Sequence, residues 1–455
     1  MRNNLVVTIW FAIFSMSMAA QAVSIQNVVD LAAKNNLQIN ISQHKLNIAQ
    51  AQTDGAWSSI FPKISLSSGV NRMESYSAKL SSASFAGFGA AFANVPSINM
   101  AALSSTAMSP MQDYYSAKAS VSLVLYNQAA YAAIGVNKDG LAAAKNEYAN
   151  TLEETNFNVS KLFLNILQME KQLDNLNESK QQMLQLLDKI QQLKKNGLAT
   201  QIDVLRTKAS VSSLQVNIIT VSNNIEIMYG SLEMLLNSPL AVRKLDMDIV
   251  NKLYEEKINF DYSLENVLNN RFDYNQLLAT IELLQANISI QESNRLPTLM
   301  AVGSYGYQGT NGFNFGDVNK DWSYGINGNW NIFDSGATGS KVKEAKENYE
   351  ILASQAQLLK KSVANELNND VLGFKSAKAK VASTEEELQV NEEAYLLMNS
   401  RYTLGEVTNL ELIDAHNQLL SAKNKLISAK IEYSVQVLKW LKDNGQLTKY
   451  YNKGV

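Results

Sequence analysis

Apolar residues recur at alternating steps of four and three along Leu162, Ile166, Met169, Leu173, Leu176, Met183, Leu187 and Ile190, with Lys180 the one interruption. The same frame carries Val363, Leu367, Phe374, Ala377, Val381, Leu388, Tyr395, Met398 and Tyr402, with Asp370, Thr384 and Asn391 as polar insertions. A period of 3.5 residues belongs to supercoiled helices packed knobs-into-holes. Glycine is scarce around both runs: 141–229 contains only Gly197, and 340–444 only Gly373 and Gly405. The pattern predicts long helices over 128–195 and 337–402, each followed by a shorter helix, 200–237 and 408–443. A helix of more than 60 residues is a rod of roughly 90–100 Å, which no compact globule needs.

Four short segments alternate with period two instead: 64–67, 119–126, 299–307 and 324–333. They predict strands in two hairpins, within 60–127 and 297–333. Phe61, Tyr114, Tyr115, Tyr126, Trp322 and Phe333 lie at or near the strand ends. Such a placement fits an aromatic girdle at a membrane interface, and equally the ordinary preference of aromatics for strands.

The two halves repeat. Asn35 to Pro62 lies 235 positions before Asn270 to Pro297, whereas Gly197 lies 208 before Gly405. The offset changes inside the first hairpin, so its loop, roughly 73–113, is the longer one, as exposed loop tips tolerate. The predicted organisation is a first repeat over 23–237, a connecting segment 238–262, a second repeat over 263–443 and a tail 444–455.

Composition narrows the function. Among 455 residues, 40 basic and 42 acidic side chains leave a net charge of -2, without the basic excess of a nucleic-acid binder. There is no cysteine, hence no thiol chemistry, disulfide or lipidation through sulfur. The two histidines, His44 and His416, have no ligand-like spacing and read as polar residues on helix faces. No nucleophile–base motif is present, so an enzyme is not expected, nor a cofactor. Arg2 is the only charge in the first 22 residues, an apolar run covers 5–14, and Ala20-Gln21-Ala22 is a small-x-small site. Residues 1–22 are thus expected to be a cleaved secretory signal. No later stretch reaches 18 consecutive apolar residues, so membrane insertion would require a closed β-barrel. Four strands cannot close one, because small single-chain barrels have about eight. Several copies must then pool their strands.

At this point the chain resembles the TolC-type outer-membrane channel family over essentially all of 23–455. The resemblance rests on Asn35-Asn36-Leu37 and Asn270-Arg271-Phe272-Asp273-Tyr274 ahead of the strand pairs, and on Ile332-Phe333-Asp334-Ser335-Gly336. It rests also on the paired turns Asn196-Gly197-Leu198-Ala199-Thr200 and Leu404-Gly405-Glu406-Val407-Thr408 with the helix starts that follow. Two positions where the family usually has proline are Asn36 and Phe272 here, which bears on local turn geometry.

The resemblance implies a mainly helical protomer with a β-barrel portion, assembling as a homotrimer. Twelve strands would form a barrel in outer-membrane lipid, joined to an α-helical barrel in the periplasm. It implies a mixed belt including 238–262 and 444–455, a periplasmic adaptor as partner, and an inner-membrane transporter reached through it. Cargo would be small molecules or proteins, from an efflux pump or a type I secretion system. Glu411 and Asp414 match acidic rings at the constricted entrance, a candidate cation site. The sequence expectation is that mutual repulsion raises their pKa values. Asp203 and Tyr402 match positions that link neighbouring helices and hold the tip shut; the arginine often found there is Val407, which could instead contact Ile202. The turns at Gly197 and Gly405 match the adaptor-docking surface. The rival reading is a periplasmic coiled-coil scaffold or adaptor without a pore.

Overall fold

The computed structural model describes residues 23–73, 112–240, 242–255, 262–310 and 319–452. The expected signal segment and most of the long first loop lie outside them. The chain divides into two compact units. One comprises the described parts of 1–47, 142–278 and 354–455; the other comprises 48–141 and 279–353.

The helical unit is built on two rods of equal length. Helix α3 (Gln128–Lys195) and helix α8 (Ala337–Leu404) each have 68 residues, and each is followed by a return helix, α4 (Gln201–Leu236) or α9 (Asn409–Asp443). No proline interrupts any of the four, so every backbone N–H past the first turn is available to the helix ladder. The heptad positions are inside: Ile166, Met183, Ile190, Val363, Leu367 and Val381 are all buried. The polar insertions are accommodated individually. Lys180 reaches the Gln215 side chain. Thr384 returns its hydroxyl to the Lys380 and Val381 carbonyls. Asp370, also buried, takes the Lys439 ammonium.

The main core gathers around the middle of the rods. It joins α1 (Ile25–Asn35), α3, α4, α5 (Asp248–Glu255), α8, α9 and α10 (Leu447–Asn452), with Phe163, Tyr229, Leu253, Tyr433 and Tyr451 among its members. The connecting segment and the tail therefore both pack here. The tail is tied by Glu153 of α3, whose carboxylate accepts the Leu447 N–H at 2.7 Å and the Thr448 N–H at 3.0 Å. Burial raises the Glu153 pKa, and the bonds from Thr448 and Leu447 oppose the shift.

Asn36, one of the two positions where the family usually has proline, keeps a backbone that proline could adopt; the other, Phe272, opens a helix directly after Arg271. Asn36 (φ -61°, ψ 127°) ends α1 and begins α2 (Leu37–Trp57); its side-chain oxygen accepts the Gln38 N–H at 2.8 Å and the Ile39 N–H at 3.1 Å. It supplies a cap that proline could not. Arg271 (φ -75°, ψ 124°) separates α6 (Leu264–Asn270) from α7 (Phe272–Ser293). Its guanidinium binds Asp273 and Glu366 at 2.7 and 2.8 Å.

The other unit contains one antiparallel sheet in the order β1 (Lys63–Met73), β2 (Gln112–Tyr126), β3 (Thr298–Thr310), β4 (Asn319–Asn329). The two expected hairpins are thus zipped together through β2 and β3. The last strand differs from the expectation of 324–333: it begins at Asn319 and stops at Asn329, opposite Thr298. Pro297 precedes Thr298 and has no N–H to extend the ladder, so Trp330 to Phe333 lie beyond the strand. Among the described residues, no helix is long and apolar enough to cross a membrane.

Candidate functional site

The two hairpin turns are built alike. At the first, Gly197 takes φ 75°, the Leu198 N–H bonds the Leu193 carbonyl at 2.9 Å and the Gly197 N–H bonds that of Lys194 at 2.9 Å. At the second, Gly405 takes φ 76°, Glu406 bonds Arg401 at 3.0 Å and Gly405 bonds Tyr402 at 3.1 Å. This paired pattern closes a helix C-terminus and needs the left-handed backbone that glycine adopts without strain.

Each return helix then opens with a capping box, again 208 positions apart. Thr200 accepts the Asp203 N–H while the Asp203 carboxylate accepts the Thr200 N–H at 2.9 Å; Thr408 and Glu411 do the same, the latter bond at 2.7 Å. Two of the expected site residues, Asp203 and Glu411, are therefore helix caps. The bonds from Thr200 lower the Asp203 pKa, and those from Thr408 lower that of Glu411. Within one copy this reverses the upward shift expected for Glu411, because a carboxylate aimed at N–H donors is held in its charged form. The Thr-x-x-acid signal was present in the sequence at both turns. Asp414, one turn further along α9, is exposed.

Tyr402 is half-buried, with the Lys189 ammonium 5.9 Å from its ring centre. Burial raises its pKa, and the nearby Asp203 charge adds to the rise. The Asp203 carboxylate accepts from the Thr200 N–H and hydroxyl, both on Oδ2. Val407 is half-buried and Ile202 exposed.

A residue that sequence reasoning missed joins the hairpins. The Asn409 side-chain amide donates to the Asp203 carbonyl at 3.2 Å and to the Thr207 hydroxyl at 3.1 Å. Further along, α3 and α9 share polar contacts beside an apolar cluster of Leu176, Met183, Leu214 and Ile413. Gln182 meets His416 at 3.1 Å, Asn175 bonds Asn424 at 2.9 Å, Gln168 bonds Ser428 at 3.0 Å, and Glu178 pairs with Lys423 at 3.1 Å. His416 is not on a solvated face: it is 2% exposed, edge-on to Tyr395, and burial lowers its pKa to about 4. Its place on the inner side of α9 follows from the neighbouring Leu412, Ile413 and Leu419, which are buried too.

The sheet has two unlike faces. The register places Ile64, Leu66 and Val70 with Ala117, Ala119, Val121, Tyr305, Tyr307, Trp322, Tyr324 and Ile326 on one side. Nearly all of it is uncovered; Ile64 and Leu66 are 82% and 83% exposed. The other side presents Ser65, Ser67, Ser116, Ser120, Ser122, Ser304, Ser323, Asn327 and Gln308. Along the apolar side, Tyr324 shares a row with Ile64 and Val121, Tyr305 and Trp322 share one with Leu66 and Ala119, and Tyr307 lies in the next row beside Lys320. Both outer strands, β1 and β4, leave a free edge. Among the described residues of one copy, no group of three His, Asp or Glu side chains could hold a metal ion.

Comparison with known proteins gives the same picture. The chain is 20% identical over 373 residues to the outer membrane protein TolC of Vibrio cholerae serotype O1, covering 78% of this chain and 83% of the relative. Its fold matches the outer membrane protein VceC of Vibrio cholerae with TM-score 0.75 at 15% identity, over 93% of this chain and 96% of that one. It matches the CmeC outer membrane channel of Campylobacter jejuni with TM-score 0.76 at 17% identity, over 94% and 88%. The model of the family described as outer membrane efflux protein fits residues 28–238 and 263–438. Two long helical hairpins and an amphipathic four-stranded sheet, repeated in tandem, thus come from a member of the outer membrane efflux protein family, a family of transport channels.

Proposed function

We propose that three copies of this chain close a twelve-stranded barrel in the outer membrane and extend it as a helical conduit into the periplasm. The observation that carries the reading is the sheet: one face apolar and uncovered, the other polar, with two unpaired edges. In lipid an unpaired edge costs several kcal/mol per backbone group, so the edges of one copy must meet those of others. The apolar band spans about eight residues of strand, roughly 27 Å before tilt, close to the ~25 Å of an outer-membrane barrel. The rods support assembly too, since Leu205, Val216, Ile219 and Met234 of α4 stand exposed in one copy. Against the pore-less scaffold stands this same apolar face, which a water-soluble scaffold would have to hide.

On this reading the chain is exported by a signal within 1–22. Its Gly197 and Gly405 turns receive a periplasmic adaptor that couples it to an inner-membrane transporter. Glu411 and Asp414 form stacked acidic rings at the entrance, able to take cations, and Asp203, Tyr402 and Val407 belong to the gate. Cargo leaves through a conduit that performs no chemistry. The test is assembly: the mature protein extracted from outer membranes should run as a detergent-resistant trimer. A monodisperse monomer that still forms channels in bilayers would sink the reading.

A further inference from the structure

One row of the sheet stands out on its polar face. The register aligns Ser67, Lys118, Gly306 and Asp321 side by side across all four strands. The row beside it is Ser65, Ser120, Ser304 and Ser323, a line of hydroxyls in which Ser304 and Ser323 lie 2.8 Å apart. Lys118 and Asp321 are opposite charges in one row, two strand spacings or about 10 Å apart, and Lys63 lies two rows away on the same face. Among the described residues the two form no ion pair with each other.

Gly306 lies between them and leaves the intervening position without a side chain. A Cβ there would come within 2.5 Å of the Ala117 carbonyl and 2.9 Å of the Lys118 Cα. No side chain can occupy the position without separating β2 from β3, so the gap between the charges is floored by bare backbone. A pair of fixed, unneutralised charges on the water-facing side of a sheet acts on whatever ion passes over it.

We propose that Lys118 and Asp321, spaced by Gly306, form an ion-discriminating pair on the lumen wall, Lys118 drawing anions and Asp321 drawing cations, so that solutes carrying both signs are oriented as they pass. The proposal rests on the sheet being part of a closed, water-filled barrel. The size of the effect follows from Coulomb's law. A unit charge ~10 Å away in water changes the local concentration of a monovalent ion about twofold. That influence extends ~30 Å at 0.01 M salt and only ~3 Å at 1 M.

The experiment measures zero-current potentials of the purified full-length channel in planar bilayers under a potassium chloride gradient, at low and at high mean salt. Lys118→Gln and Asp321→Asn remove each charge with little change of shape. Lys118→Gln should raise the cation-to-anion permeability ratio about twofold at low salt, and Asp321→Asn should lower it by a similar factor. Both shifts should fade near 1 M. Inserted channels whose ratios do not move, or move in the same direction for both variants, overturn the proposal while leaving the barrel intact. If one variant fails to insert, the sign of the other's shift decides. If the unmodified protein forms no channels, the barrel reading falls and this one with it.

Discussion

Asn409 and Thr207 meet side chain to side chain, 3.1 Å apart, and neither reaches solvent: Asn409 is 3% exposed and Thr207 0%. The contact pins the first turn of α9 to the second turn of α4, one turn along from the Asp203 carbonyl that Asn409 also binds. Further along, polar pairs of Gln, Asn, Ser, Glu and Lys between the hairpins lie beside an apolar cluster of Leu176, Met183, Leu214 and Ile413, which draws on both hairpins.

Asn409→Ala should therefore loosen the tip. Losing a buried hydrogen bond of this kind costs about 1–2 kcal/mol in each copy. Thr207→Val, which keeps the shape and removes the hydroxyl, should act in the same direction. Single-channel conductance should rise in both, with the double variant less than additive because the two share one bond. Unchanged conductance and an unchanged melting temperature in Asn409→Ala would show that the contact holds nothing.

Glu411 and Asp414 should separate by the kind of damage they cause. Glu411 accepts the Thr408 N–H, so Glu411→Ala should remove half of the capping box and lower the melting temperature. Asp414 is exposed one turn along, so Asp414→Ala should leave the melting temperature alone and weaken block by multivalent cations. Equal loss of block without any thermal effect in Glu411→Ala would mean that the cap opens when the copies assemble.

Acid should weaken the helical bundle through His416. Burial holds its pKa at about 4, below the unfolded value of about 6.5, so the folded state favours the neutral ring. Between those values the unfolded chain binds more protons, and stability falls as pH falls. The stability present above about pH 6.5 is lost progressively down to about pH 4, by up to roughly 3 kcal/mol per copy. Glu178 and Lys423 face the same ring; Lys423 lowers its pKa further and Glu178 partly offsets the drop. His416→Gln should flatten the melting temperature against pH between 6.5 and 4. The depressed carboxylates Asp203 and Glu411 act only below their ordinary pKa values, so they do not mimic this slope. Glu153, Glu170 and Asp443, whose pKa values burial raises, oppose this slope in part of the window, so the readout is the difference between wild type and His416→Gln, and no difference would refute the assignment.

The amino-acid order alone settled the architecture wherever a feature is periodic or local. A 3.5-residue repeat without proline leaves little choice but the two 68-residue rods, and period-two alternation around Leu66 and Tyr305 specifies which face of a strand is apolar. Gly197 and Gly405 marked turns because only a left-handed residue closes a helix in that way. The caps at Asp203 and Glu411 were equally local and legible, as a threonine three residues before an acid at a helix start. Tertiary structure decided what depends on partners distant in sequence. The pairing of β2 with β3 joins residues some 180 positions apart, and hydrophobic alternation says which face is buried but not which strand lies alongside. The early end of β4 was set by its neighbour, since Pro297 removes a donor that β4 itself cannot supply. His416 reads as polar in any window of sequence; it is buried because Ser179 and Gln182 of one helix and Tyr395 of another close over it. Likewise, only the packed chain brings the Glu153 carboxylate to the free N–H groups of Leu447 and Thr448, 294 and 295 positions away. Desolvation and hydrogen-bond satisfaction are properties of the assembled neighbourhood, and so are the charge states that follow from them.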